Sequence, residues 1–228
     1  MEILDNIPVH LDPEKVSKKL HLDKKKGFSN TAQELVELAN SVIHPKAIYE
    51  VSYIDHRNED AVDIGGVKFT SRILRVNLDK IGRVFPYIVT IGKELEGRIA
   101  SFDDLLKQYC LEEIGNIVVE STIEYLEGYL KRKYRIEQIS SMSPGSLKDW
   151  PITQQKQLFS IFGNAEDLIG VKLTDSLLMI PKKSESGIFF PTEVKFYSCQ
   201  LCPRENCEGR AAPYDKNVAE SYRKEVSG

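Results

Sequence analysis

The stretch from Asp104 to Tyr134 constrains this chain more than any other. It contains no proline, and Leu111, Ile114, Val118, Tyr125, Leu126 and Tyr129 form an apolar stripe along it at helical spacing. That spacing predicts one long helix, continuing a helical pattern already present at Leu95 and Ile99. The stripe has to be buried, so this helix is expected to be central.

The other elements come in blocks. Asp12-Pro13-Glu14 supplies a cap and a first-turn proline for a helix from Pro13 toward Leu20, ended by Lys24-Lys25-Lys26-Gly27. Asn30 with Gln33 has the form of a loose capping box, and Leu35, Leu38, Ala39 and Val42 then repeat helically up to Pro45. From Ala47 to Ile54 the residues turn β-branched and aromatic. Gly65-Gly66 between Val62-Asp63-Ile64 and Val67-Lys68-Phe69 predicts a hairpin, and Val84 to Ile91 another strand broken by Gly92. After the long helix, Thr153 to Phe162 predicts a helix ended by Gly163, and Asn164 caps a shorter one closed by Gly170. Strand segments are expected at Val171–Leu173 and Leu177–Ile180, and Gly187–Phe190 leads into a further one around Val194–Tyr197. Residues from Pro213 to Gly228 carry few apolar side chains and are expected to fray or pack weakly. Without steady βαβ alternation this is an α+β chain: a single elongated domain over residues 1–228, a twisted antiparallel sheet with flanking helices. Residues 1–45 form its N-terminal helical part and 199–228 a cysteine-containing C-terminal extension.

Charge excludes some partners. Thirty-one Lys and Arg against 34 Asp and Glu leave a net charge of −3, with no broad positive field for nucleic acid. No apolar run is long enough for a membrane span and Met1 to His10 carry no signal-peptide pattern, so a cytoplasmic protein is expected. Three of the four cysteines fall within Cys199-x-x-Cys202-x-x-x-x-Cys207, unlike a disulfide framework spread through a secreted fold. Thiolates at those spacings can converge on zinc or an iron-sulfur cluster, completed by Cys110, Asp215, water or another chain. The alternative is free thiols in a C-terminal loop.

Little else points to chemistry from residue type alone. His10, His21, His44 and His56 are scattered, and Asp55 to Asp60, dense enough in polar groups for a metal or substrate loop, is expected to be a solvated strand connection. No nucleophile has a local partner arrangement, and there is no phosphate-binding glycine loop. Ser143-Pro144-Gly145 can turn the backbone sharply and bring amides close to a ligand, although most Pro-Gly pairs make surface turns.

The order of words around that turn is more specific. Ser143-Pro144-Gly145 is followed by Asp149-Trp150-Pro151, Leu173-Thr174-Asp175-Ser176 and Ser184-Glu185-Ser186-Gly187. The series resembles the activation domain of cobalamin-dependent methionine synthase, over most of the chain and most closely from Val118 to Phe190. The resemblance implies a protein that binds S-adenosylmethionine and presents it to a corrinoid whose cobalt has slipped to an inactive oxidation state, for reductive methylation. In Val119-Glu120-Ser121-Thr122-Ile123-Glu124, Glu120 occupies the place of the family's glutamate that holds the ligand's amino group. The implied ligand-binding set is Glu120, Ser141, Ser143, Pro144, Gly145 and Ser146. The family carries an arginine and a tyrosine where Ser141 and Ser146 stand, which removes a guanidinium fork and an aromatic surface. Lys148 or Arg135 would be the substitutes. No side chain is expected to be catalytic. With no corrinoid-binding segment alongside, the resemblance implies a separate corrinoid-binding protein or cobalamin-dependent methyltransferase subunit as partner. Three readings stand: a methyl-donor-binding reactivation component, a docking module that keeps the fold without the donor, and a metal or redox protein built on Cys199, Cys202 and Cys207.

Overall fold

The computed structural model describes residues 1–22, 29–207 and 209–224. Strand β1 (Glu2–Leu4) precedes α1 (Pro13–Lys19), where the Asp12 carboxylate accepts from the amides of Glu14 and Lys15. The Lys24-Lys25-Lys26-Gly27 breaker lies outside the described residues, as does the Asn30 side chain of the expected capping box. Helix α2 (Ser29–Val42) buries Leu35, Val36 and Ala39. The apolar run after it divides into β2 (Lys46–Tyr49) and β3 (Ser52–Arg57), and β4 (Ala61–Ile64) pairs with β5 (Val67–Thr70) across Gly65-Gly66, both at positive φ. A short α3 (Arg72–Asn77), unmarked in the sequence reading, starts from a Ser71 cap.

β6 (Arg83–Thr90) is the centre of the sheet. One edge pairs with β2 and then β3; Pro86 falls at their junction, where its carbonyl accepts from the Glu50 amide and its missing donor interrupts no ladder. After α4 (Glu94–Ala100) comes α5 (Leu105–Tyr134), the long helix expected, capped by Asp104 and closed by Arg135 at φ 53°. β7 (Ile139–Met142) is a strand that no sequence signal marked. A 3-10 turn (Ile152–Gln154), α6 (Gln155–Ser160) and α7 (Ala165–Ile169) follow, so the helix expected from Thr153 to Phe162 is shorter and enters through a tighter turn. β8 (Lys172–Leu173) and β9 (Met179–Ile180) make a separate small hairpin. β10 (Ser184–Pro191) runs antiparallel between β6 and β7.

Two C-terminal expectations are corrected. Val194–Tyr197 is not a strand: the Phe196 amide donates to Ser140 Oγ at 2.8 Å, so a side chain and not a ladder ties it to β7. The tail does not pack weakly up to residue 224. It forms α8 (Lys216–Lys224), which buries Ala219, sets Tyr222 against Phe196 with ring centroids 5.7 Å apart, and lets the Tyr222 hydroxyl donate to Asn77.

Helices α1, α2, α4 and α5 cover one sheet face, where Phe85, Tyr87 and Phe189 meet Leu111, Val118 and Leu126. On the other face the β4–β5 hairpin, α3 and α6 enclose Trp150, which is fully buried edge-to-face with Phe69 at 5.9 Å. No helix among the described residues is long and apolar enough to cross a membrane.

Candidate functional site

Strand alternation places Ile139 in the core under α5 and Met142 in the core on the opposite face. Ile139, Ser141 and Ser143 therefore share the helix side of β7. Opposite them α5 presents Glu120, Ile123, Glu124 and Glu127, at spacings of three and four residues that define one helix face. The gap between them is a groove of about 370 Å3, closed along its outer side by Lys195 to Cys199 and Ala211.

The Pro-Gly turn ends one wall. The Gly145 amide donates to the Trp150 carbonyl at 2.7 Å, and Ser146 donates through both its amide and its hydroxyl to the Ser143 carbonyl, at 3.1 and 2.7 Å. Gly145 sits at φ 86°, which favours glycine. Ser143 and Ser146 line the groove, whereas Pro144 is buried and, with Gly145, shapes the turn without lining it. Asp149 is structural: its carboxylate accepts from the Ser71 hydroxyl and from the Ile73 amide at 2.9 Å, fixing the start of α3.

Behind the Met142–Ser143 wall, β10 lacks a side chain at Gly187. A Cβ there would lie 2.7 Å from Ser143 Oγ and 2.9 Å from the Tyr87 hydroxyl. That hydroxyl donates to Glu185 at 3.4 Å. Burial pushes the Glu185 carboxyl up, Tyr87 opposes the shift, and the charge of Glu120 adds to it. Burial also raises the Tyr87 hydroxyl, and the Glu185 charge raises it further.

The acids of the helix wall differ in their partners. Glu120 is 63% exposed and accepts from Lys19 at 2.9 Å. Glu127 meets Lys195 at 3.3 and 3.4 Å. Glu124 is exposed, and among the described residues no cation is paired with it. Lys148 and Arg135 do not line the groove; the cation that does is Lys195. No sequence signal marked Lys195, since its place depends on how the chain returns past β7.

Cys199, Cys202 and Cys207, the candidate metal-binding thiols, are free cysteines in the chain after β10. Cys199 lines the groove and its sulfur accepts from the Ala211 amide at 3.4 Å; Cys202 and Cys207 do not line it. The loop is organised on the Arg210 guanidinium, which donates to the carbonyls of Cys199, Cys202, Arg204 and Ala212. Cys110 is buried in α5. Among the described residues no group of three or more His, Cys, Asp or Glu is placed to hold a metal ion. A larger cavity of about 790 Å3 lies at the Thr90 end of β6, lined by His44, Gly92, Gly170 and Ile180 and by the Lys46–Asp5 and Lys172–Glu166 ion pairs.

A central antiparallel sheet, a long helix across one face and a groove between that helix and the β7 edge make this an α+β domain. The same fold occurs in a crystal structure of the MetH reactivation domain bound to AdoHcy, with a TM-score of 0.55 and 17% identity, over 86% of this chain and 81% of that one. At this identity the likeness concerns the fold. No family model and no curated protein matches the chain.

Proposed function

We propose that the protein binds S-adenosylmethionine in the α5–β7 groove and docks on a separate corrinoid protein to support reductive methylation of its cobalt. The observation that carries this reading is the convergence of Glu120 with Ser141, Ser143 and Ser146 on one groove, in a fold shared with a domain solved with AdoHcy. About 370 Å3 falls within the range of small-ligand sites. The acidic helix wall suits a ligand bearing an ammonium and a sulfonium, because fixed carboxylates attract both in a partly dry pocket. The serine hydroxyls and the turn supply neutral hydrogen-bonding groups on the opposite wall.

In that reaction the donor would give up a methyl group from its sulfonium and leave as the thioether, the electron pair for the new bond coming from partner cobalt that a separate one-electron reductant has first reduced. The chain's own residues therefore hold and orient the donor and exclude water, and no proton transfer is asked of them. The test is calorimetric titration with S-adenosylmethionine and S-adenosylhomocysteine, using Glu120→Ala as the control. Micromolar binding that weakens about tenfold in the variant is expected. No heat up to millimolar ligand overturns the donor site. It would favour the docking-module reading, which the Lys19–Glu120 pair and the serines at 141 and 146 already support.

A further inference from the structure

We infer that Cys199 and Cys202 form a dithiol–disulfide couple that exchanges with an external small-molecule disulfide at the outer wall of the groove, an activity separate from adenosyl binding. Both are free cysteines and both are partly exposed. Local geometry brings them together. The Cys202 amide donates to the Cys199 carbonyl at 3.2 Å, closing the 3-10 turn Ser198–Leu201. A bond from residue i+3 to residue i holds the two Cα atoms within about 7 Å, and a disulfide needs roughly 4.4–6.8 Å between them. With about three residues to the 3-10 turn, side chains at i and i+3 also lie on the same side.

The turn is fixed from several sides. The Arg210 guanidinium donates to the Cys199 carbonyl at 3.2 Å and to the Cys202 carbonyl at 3.4 Å, gripping both ends. Between them the Gln200 carbonyl accepts from the Asp215 amide at 3.0 Å, and the Gln200 side chain accepts from the Tyr197 amide at 3.0 Å. Two thiols held on one turn meet at an effective concentration of roughly millimolar or more, so closure of the internal bond competes well with a second external thiol. Cys207 belongs to the next turn, where its carbonyl accepts from the Arg210 amide at 3.3 Å, and Cys110 is buried in α5. The exchange then balances in two steps. Cys199, which lines the groove, attacks as thiolate one sulfur of the incoming disulfide, whose S–S bond breaks and releases one half as thiolate. Cys202, as thiolate, attacks the Cys199 sulfur of the mixed disulfide, forming the Cys199–Cys202 bond and releasing the other half. The two cysteine protons and two electrons end on the released thiols, so the chain is oxidised and the external disulfide reduced. The Ala211 amide, which donates to the Cys199 sulfur at 3.4 Å, belongs to a residue that also lines the groove, so the change at Cys199 falls within its wall.

The experiment equilibrates the reduced full chain with glutathione disulfide against graded glutathione, quenches with acid, alkylates the remaining thiols and maps them by mass spectrometry. Trypsin cleavage after Lys195 and Arg204 puts Cys199 and Cys202 in one peptide and Cys207 in the next. Native protein is expected to lose two hydrogens in the first peptide and to keep Cys207 and Cys110 alkylated, and Cys207→Ser should behave as native. Cys202→Ser, with nothing to resolve the adduct, should hold at least about tenfold more glutathione on Cys199 than native protein in the same buffer, and Cys202→Ala should do the same. Mixed disulfides on native protein with no internal bond, or an internal bond to Cys207, overturn the couple. So does zinc or iron that copurifies with the chain and is released on alkylation, which would assign the sulfurs to a metal. No adenosyl compound enters the assay, so its outcome is independent of the donor site, and native-like thermal unfolding of the reduced variants shows that the comparison reports thiol chemistry.

Discussion

Replacing Gly187 with alanine tests whether the Met142–Ser143 wall of the groove is set by a close approach of three strands. The new Cβ would meet Ser143 Oγ at 2.7 Å, the Met142 carbonyl at 2.8 Å and the Tyr87 hydroxyl at 2.9 Å, against at least 3.4 Å for ordinary contact. Each neighbour has to recede by about half an ångström or more. Ser143 can rotate its hydroxyl away. Tyr87 cannot swing, because it is fully buried and stacks on Phe189 at 4.4 Å; Met142 is backbone, registered opposite Ile188. The strain is therefore relieved by moving β7 away from β10, which displaces Ser141 and Ser143 in the groove wall. Overpacking of this kind costs about 1–3 kcal/mol, which for a chain of this size lowers Tm by roughly 2–12 °C. Adenosyl-ligand affinity should fall about tenfold with it. Gly82→Ala is the matched control, since nothing lies within 4 Å of its added Cβ. Differential scanning calorimetry and ligand titration on both variants provide the measurement. A Gly187→Ala protein with native Tm and native affinity would refute the close-approach account.

Two carboxyls should move stability in opposite directions with pH. Burial alone would raise Glu2, but hydrogen bonds from Lys133, Tyr129 and Tyr49 outweigh it and hold the carboxyl down at about 2 from an ordinary 4.5. Its stabilisation is present above the ordinary value and lost as pH falls through about 2, so Glu2→Gln should cost about 1–2 kcal/mol at pH 7 after solvent screening, the difference from native shrinking across that window. Glu185 is shifted upward by burial, aided by Glu120 and opposed by Tyr87, so its ionisation costs stability as pH rises from the ordinary carboxylate value through its raised one. Glu185→Gln should therefore raise Tm at pH 7 and leave it unchanged well below pH 4.5; a variant less stable than native at pH 7 contradicts this account.

Elements whose ends close on their own residues were legible from sequence. Asp12, Asp104 and Asn164 cap helices with their own carboxyl or amide oxygens, and Gly170 closes α7 at φ 77°, all within a turn of chain. β7 was not legible because nothing in Ile139-Ser140-Ser141-Met142 marks a strand. Its extended form is imposed by β10, which sets Phe189 opposite Ser141 and Phe190 opposite Ser140. The reverse error at Val194–Tyr197 has the same origin: an aromatic, β-branched run has strand propensity, yet Ser140 Oγ takes the Phe196 amide that a ladder would need. In α8 one aromatic residue, Tyr222, supplies both a ring contact and a hydrogen bond to the body, more than the sparse apolar pattern suggested.

The site divides along the same line. Glu120, Glu124 and Glu127 share a face because helical period puts residues three and four apart together, so the acidic wall follows from the long helix alone. The opposite wall needs β7 to be a strand, and its cation needs the chain after β10 to turn back along it. Ser141 on β7 brings no positive charge to that wall. Lys195, more than fifty residues later, occupies the same groove as Ser141. Electrostatic attraction depends on where a charge sits and how dry its surroundings are, not on which element carries it. The Phe196 amide on Ser140 and the Tyr222 ring on Phe196 hold the residue next to Lys195 from both sides, which ties the charge of the groove to the packing of α8.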